Sequence, residues 1–353
     1  MDAASTTPHA AGRPWTPSFA SHRGVSRLVL ALAISDYDHV RDLTEGRVQA
    51  EGIELLPMRF AVEEIFFRFV KFREWEVSEV SFAKYVSLRS QGDDSLVAIP
   101  VFPSRVFRHS SIYVRADGPV RRPEDLAGRR VGVPEWAQTA SIYSRGALRH
   151  QFGLDLGAVH WVQAGVNQPG RVEKVALKLP PGISVTPRPD RSLDAMLLDG
   201  ELDAVLTAHP PESFLAGDPR IARLFPDSQP VEEAFLDATG VFPIMHAVAI
   251  RREVMERFPW VAGNLLTAFE AAKRNAVARN EEMTASRLPF AWAQQAAARM
   301  AARLGGDPWP YGIEANRVTL DTFCAWAFEQ GVAHRRLQVE ELFPAEVRQA
   351  FRI

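Results

Sequence analysis

Two histidines stand where a proton could be moved near neutral pH, since an unperturbed imidazole titrates near ~6.5. His109 follows Arg105 and Arg108 and opens an apolar run, and His246 lies within the otherwise apolar run 242–250. If 105–109 is extended, alternation puts Arg105, Phe107 and His109 on one side and Arg108 on the other. A histidine inside an apolar strand costs free energy unless it is hydrogen-bonded. It is therefore either a satisfied core residue or a catalytic acid or base. Guanidinium forks suit carboxylates, which makes Arg105, Arg108, Arg145 and Arg171 candidate anion ligands; the alternative for each is an ordinary ion pair. Glu135 ends a strand, and Gln138-Thr139-Ala140-Ser141 opens a helix whose first N–H groups could receive a carboxylate or simply be capped. Asp36 and Tyr37 follow the first strand, Ser81 ends another, and Gln168 and Arg171 share a Gly/Pro-bounded loop. Asp36 would repel an acid group and would more readily accept from a phenol. No H-E-x-x-H spacing occurs among the nine histidines, so no metal is assigned.

These side chains need a scaffold that brings strand ends together. The runs 27–34, 52–60, 76–81, 96–101 and 110–114 read as strands, with a helix over 61–72 whose Ile65, Phe66, Phe69 and Val70 share a face. A second set follows, with strands at 159–163, 183–186 and 202–207 and helices at 139–151 and 192–198. Another strand spans 242–250, and the remainder is helical. This alternation predicts an α/β protein of two lobes. Residues 25–115 and 244–353 would form a discontinuous first lobe, with 116–243 inserted as the second. Ligands of such folds sit beyond the C-terminal ends of strands, in the inter-lobe cleft.

Composition narrows the function classes. The chain has 353 residues, 46% hydrophobic and 24% charged, enough for sizeable cores. Its 41 basic and 43 acidic residues give a net charge of −2, which argues against a nucleic-acid or membrane-surface partner. One cysteine, Cys324, excludes an intramolecular disulfide, and its aromatic neighbours suggest inert core. Residues 1–24, rich in Ala, Ser, Thr and Pro, read as a disordered tail without an apolar signal segment. Taken as a complete chain, this points to a cytoplasmic protein.

Several segments are more specific. The run 99–114 (IPVFPSRVFRHSSIYV) resembles the hallmark of the 4,5-dihydroxyphthalate decarboxylase family. Matching segments are 63–68 (EEIFFR), 133–135 (VPE), 168–171 (QPGR), 242–246 (FPIMH), 309–312 (WPYG) and 339–343 (VEELF). The resemblance covers roughly 27–353. It implies a periplasmic-binding-protein-like type II fold, a small aromatic dicarboxylate as substrate, no organic cofactor or metal, and a homo-oligomer. The family pattern has an arginine close to the position of His209, so His209 would weaken binding of a second carboxylate and bears on the exact substrate. The implied reaction converts 4,5-dihydroxyphthalate to protocatechuate and CO2. Direct loss of CO2 would leave an unstable aryl carbanion, so the ring carbon must be protonated first. That requires a base near a phenol, an acid near that ring carbon and cations for the other carboxylate; His109, His246 and Glu135 are the candidate catalytic residues, with either histidine suited to acid or base. The alternative is a non-catalytic solute-binding protein for an aromatic carboxylate, working with an ABC-type transporter.

Overall fold

A computed structural model describes residues 15–348 except 23 and 286. The first sheet contains β1 (Ser18–His22), β2 (Val25–Ala33), β3 (Ile53–Met58), β4 (Val77–Ser81) and β5 (Leu96–Ile99). The second contains β6 (Ile112–Arg115), β7 (Arg130–Val133), β8 (His160–Gly165), β9 (Val185–Ser192), β10 (Ala204–Leu206) and β11 (Ile221–Arg223). A last strand, β12 (His246–Arg251), returns to the first sheet between β4 and β5, antiparallel to both. The chain thus leaves the first sheet after β5, builds the second in the order β11-β6-β10-β7-β8-β9, and comes back.

Helices α1 (Asp38–Thr44), α2 (Val62–Phe72) and α3 (Phe82–Ser90) connect strands of the first sheet. Helices α4 (Thr139–His150), α5 (Leu193–Leu198), α6 (Glu212–Leu215) and α7 (Gln229–Thr239) belong to the stretch between β7 and β12. Helices α8 (Arg252–Arg257), α9 (Trp260–Glu281), α10 (Ala293–Arg303) and α11 (Arg317–Glu329) follow β12. No helix among the described residues is long and apolar enough to cross a membrane.

Three sequence expectations change. The tail expected over 1–24 is ordered where it is described before β2: β1 pairs antiparallel with β2, and Trp15 donates its indole N–H to Glu76 at 2.9 Å. Residues 1–14 lie outside the described residues. The strand Ile112–Arg115 pairs with β10 and β11, so the crossing into the second sheet falls before 112 rather than after 115. The segment 105–109 is not an extended strand. Arg105 forms one isolated bridge to Ile244, and His109 opens a single 3-10 turn.

Burial patterns explain the elements. In β2, Leu28, Leu30 and Leu32 are buried at alternate positions, as a sheet face requires. β4 is buried on both faces although its sequence is VSEVS, and Glu79 is fully buried at its centre. α11 docks onto α4 where Gly146 gives room to the indole of Trp326; a Cβ at 146 would lie 2.0 Å from that ring. The contact is tied by the Trp136 indole N–H to the Gln330 carbonyl at 2.7 Å and by the Gln330 amide to the Ile142 carbonyl at 3.0 Å.

Gly146→Ala separates local propensity from packing. In an exposed helix the change would stabilise by ~1 kcal/mol. Here overpacking dominates, and a net loss of ~1–3 kcal/mol is expected from urea unfolding. A variant as stable as the parent would show that α11 is free to shift.

Candidate active site

The site starts from the register of two strands. β12 runs antiparallel to β4 with His246 opposite Ser81 and Val248 opposite Glu79. His246 is therefore the diagonal neighbour of Glu79, within reach of a long side chain. The Glu79 carboxylate lies 2.6 Å from His246 Nδ1 and accepts the Tyr37 hydroxyl at 2.5 Å and the Ser35 backbone N–H at 3.0 Å. A fully buried carboxylate needs such donors. An ionised carboxylate only accepts, so Nδ1 carries the proton and Nε2 is left for the cavity that His246 lines. Phe66 closes edge-on against the imidazole, with ring centroids 4.8 Å apart. Burial, and then the charge on Glu79, push the Tyr37 phenol far above its ordinary value, so Tyr37 remains a neutral donor.

The cavity has a volume of about 710 Å³ and is walled by both lobes. One end is cationic. Lys84, at the start of α3, meets Glu135 at 2.6 Å and Glu173 at 3.1 Å. Arg171 reaches the other oxygen of Glu135 at 2.8 Å, and Lys174 lies 3.5 Å from it. Burial alone would raise the Glu135 carboxyl, but Lys84, Arg171 and Lys174 outweigh it and hold it below its ordinary value. Glu135 is thus a fixed anion organising cations. Arg108 also lines the cavity, bonds the Met245 sulfur at 3.3 Å and has no ion-pair partner among the described residues. Burial pulls its guanidinium down to about 10, which leaves it charged at neutral pH.

Two contacts bridge the lobes beside these groups. The Thr139 hydroxyl lies 3.1 Å from that of Ser81 and accepts the Ala83 N–H at 3.1 Å, capping the start of α3 from across the cleft. At the rim His209 pairs with Glu63 of α2.

The structure brings together Tyr37, Ser81, Arg108, Glu135, Thr139, Arg171, His209 and His246 in and around this cavity. Five expected residues are elsewhere. His109 is boxed by Phe152, Phe225 and Phe235, with Nε2 2.7 Å from the Gln151 side-chain oxygen. The 3-10 turn points it into that box and away from the cleft. Arg105 is spent on the carbonyls of Phe242 and Pro310 at 2.9 and 2.7 Å and on Asn316. Arg145, fully buried over the Trp136 ring, bonds the Gln330 side chain and the Trp136 carbonyl. Asp36 is exposed beside Arg41, and Gln168 is exposed in its loop. Sequence reasoning missed Glu79, Lys84 and Glu63. The signal for Glu79 was present: a carboxylate at the centre of a short strand, between Ser78 and Val80, must be either at an edge or paired. Among the described residues no group of three or more His, Cys, Asp or Glu side chains could hold a metal.

Comparison with known proteins defines first the class of fold. The periplasmic aliphatic sulphonate binding protein SsuA from Escherichia coli is 14% identical and aligns over 91% of this chain and 98% of its own, with a TM-score of 0.52. A periplasmic sulfonate-binding protein SsuA from Methylobacillus flagellatus is 13% identical over 90% of this chain and 91% of its own, with a TM-score of 0.51. The fold is that of periplasmic-binding-protein-like proteins.

Sequence gives the family. A 4,5-dihydroxyphthalate decarboxylase from Comamonas testosteroni is 38% identical over 332 residues, 93% of this chain and 100% of that protein. One from Pseudomonas putida is 39% identical over 206 residues, 58% of this chain and 80% of that protein. The chain belongs to the 4,5-dihydroxyphthalate decarboxylase family. No family model matches it.

The rim pair yields a pH prediction. Its hydrogen bond to Glu63 raises the His209 imidazole above its ordinary 6.5, and the same bond lowers the Glu63 carboxyl to about 2. Arg171 and Arg108 face the imidazole and oppose its rise. The histidine contribution is complete below pH ~6.5 and lost as pH rises through the raised value; the glutamate contribution is complete above ~4.5 and lost towards ~2. The pair is solvent-exposed, so its worth is at most ~1 kcal/mol. The melting-temperature advantage over His209→Ala should peak between pH ~4.5 and ~6.5 and fade above. A pH-independent difference would show that the pair is not formed.

Proposed function

We propose that the chain decarboxylates 4,5-dihydroxyphthalate, or a close dihydroxylated aromatic diacid, with His246 as the acid. The observation that carries this reading is the Glu79–His246 pair, whose imidazole lines a cavity that also holds Arg108, without an ion-pair partner among the described residues. Four cations, Lys84, Arg108, Arg171 and Lys174, stand against two carboxylates, Glu135 and Glu173. Two positive charges are left over, which matches a dianion. Arg108 and the Lys84–Arg171 cluster bind the substrate carboxylates, and Phe66 and Met245 pack against the ring.

In the reacting state His246 is an imidazolium stabilised by Glu79. Its Nε2 proton passes to the ring carbon that bears one carboxylate. The resulting cationic ring is stabilised by the hydroxyl para to that carbon, whose lone pair delocalises into it. The C–C bond then breaks, its electron pair restores aromaticity, and CO2 leaves. The ring has exchanged CO2 for H, and the imidazole recovers its proton from solvent. Glu135, held anionic among three cations, positions those cations and transfers no proton. A positioned acid of this kind contributes ~10²–10⁴-fold. The fold likeness to solute-binding proteins supports a second reading, reversible binding of the same acid without turnover.

One assay separates the two. Purified protein with 4,5-dihydroxyphthalate should release CO2 and protocatechuate, measured by chromatography. His246→Gln should lower kcat by at least ~100-fold, and Glu79→Gln by ~10-fold or more, because the imidazolium loses its counter-charge. Arg108→Met should act mainly on KM, and His109→Gln should leave turnover nearly unchanged. Tight binding without product would establish the receptor reading. An undiminished rate in His246→Gln would remove this residue from the mechanism.

A further inference from the structure

The cavity is larger than the proposed substrate. A dihydroxyphthalate has roughly 14 non-hydrogen atoms, whereas cavities of ~300–1,000 Å³ hold drug-sized ligands; this one measures about 710 Å³. The surplus lies in one direction. Phe66 of α2 touches His246, and Lys71 of α2, also in the wall, is five residues further on, ~7.5 Å along the axis. On α3 the wall likewise advances from Lys84 in the cation cluster to Leu88, one turn on.

This stretch is apolar on both sides of the cleft. Phe67 and Val70 come from the first lobe, Val172 and Val175 from the second. Phe67 is 46% and Val172 57% exposed, although both are large apolar side chains that line the cavity. Lys71 caps the far end, with its ammonium 5.1 Å from the Phe67 ring centroid. Arg73, beside it, is consumed by Asp93 at 3.4 Å, by Ser95 and by carbonyls of its own helix. Nothing in this stretch repeats the Arg108–Glu135 arrangement, so a second acid group is not what it is built for.

We infer that the cavity contains a second, apolar subsite beyond His246, bounded by Phe67, Val70, Leu88, Val172 and Val175. It receives the alkyl or aryl arm of a substituted aromatic dicarboxylate. The inference rests on the reading that the cation cluster binds the acid groups and sets the ring near His246, which leaves this apolar lining for an arm.

The test uses phthalates carrying a straight 4-alkyl chain, from methyl to hexyl, as competitors of turnover and as ligands in calorimetry. Affinity should rise about three- to fourfold per methylene over at least the first three added. Val172→Trp, at an exposed position where folding is checked by thermal melting, should flatten the series and leave turnover of 4,5-dihydroxyphthalate within about twofold. Leu88→Trp should flatten it from the opposite wall. Calorimetry reads the subsite without turnover. A chain-length gain that both variants abolish supports the subsite even if no diacid is decarboxylated. A flat series with the unmodified protein, or a gain that survives in both variants, overturns it even if the diacid is decarboxylated.

Discussion

The site depends on a carboxylate placed where carboxylates are costly. Glu79 is fully buried in a strand with neighbours on both sides. Removing such a charge from water costs several kcal/mol unless donors replace the hydration. Three do so: Tyr37, Ser35 and His246. They come from two different relations to β4. Ser35 and Tyr37 follow the parallel strand β2, and His246 begins the antiparallel strand β12. Satisfying one side chain therefore fixes the end of β2, the entry of the returning strand and the orientation of an imidazole. A role for His246 as a core residue alone leaves unexplained why it lines a cavity.

The cations follow a different logic. Glu135 is buried, but its neighbours Lys84, Arg171 and Lys174 overcompensate it, and Arg108 adds a charge with no ion-pair partner among the described residues. A structural ion-pair network is normally balanced, since an uncompensated buried charge destabilises the fold. Excess positive charge in a cavity is stabilised when an anion enters. The same surplus would serve a receptor and an enzyme. The difference lies with a group that can give up a proton next to the bound anion, and His246 is that group in the proposed reaction.

Much of this was legible in the sequence, for reasons that differ residue by residue. Ser81, Glu135 and Thr139 follow the ends of strands, and this α/β order directs strand ends to the cleft. His246 was legible because a histidine in an apolar run needs a partner. The partner itself, Glu79, was hidden. Its choice depends on the register between β4 and β12, which are separated by the whole second sheet. His109 failed for a related reason. Its surroundings, Phe152, Phe225 and Phe235, come from distant segments, and a one-residue change between strand and 3-10 turn reverses where a side chain points. Arg105 and Arg145 were the right residue type for an anion site. They are instead ties to the C-terminal region, through Pro310 and Asn316 in one case and Gln330 in the other. A guanidinium has donors enough for either task, and composition alone does not separate them.

The division of parts between the lobes has a chemical consequence. The imidazole and its carboxylate belong to the first sheet, and Glu135 and Arg171 belong to the second lobe. In the proposed reaction a diacid held by the cations around Glu135 must at the same time reach His246 of the first sheet. Two contacts made across the cleft, Lys84 to Glu135 and Thr139 to the start of α3, use the same elements that carry the cation cluster and Ser81. The contacts between the two sheets' elements and the anion site thus share residues. In the proposed reaction, acid groups bound there would leave water beside a proton donor, and a low-dielectric surrounding would strengthen the attraction between imidazolium and carboxylate. In the proposed reaction Glu79 then has a second task beyond orientation: its negative charge faces the imidazolium across the 2.6 Å contact.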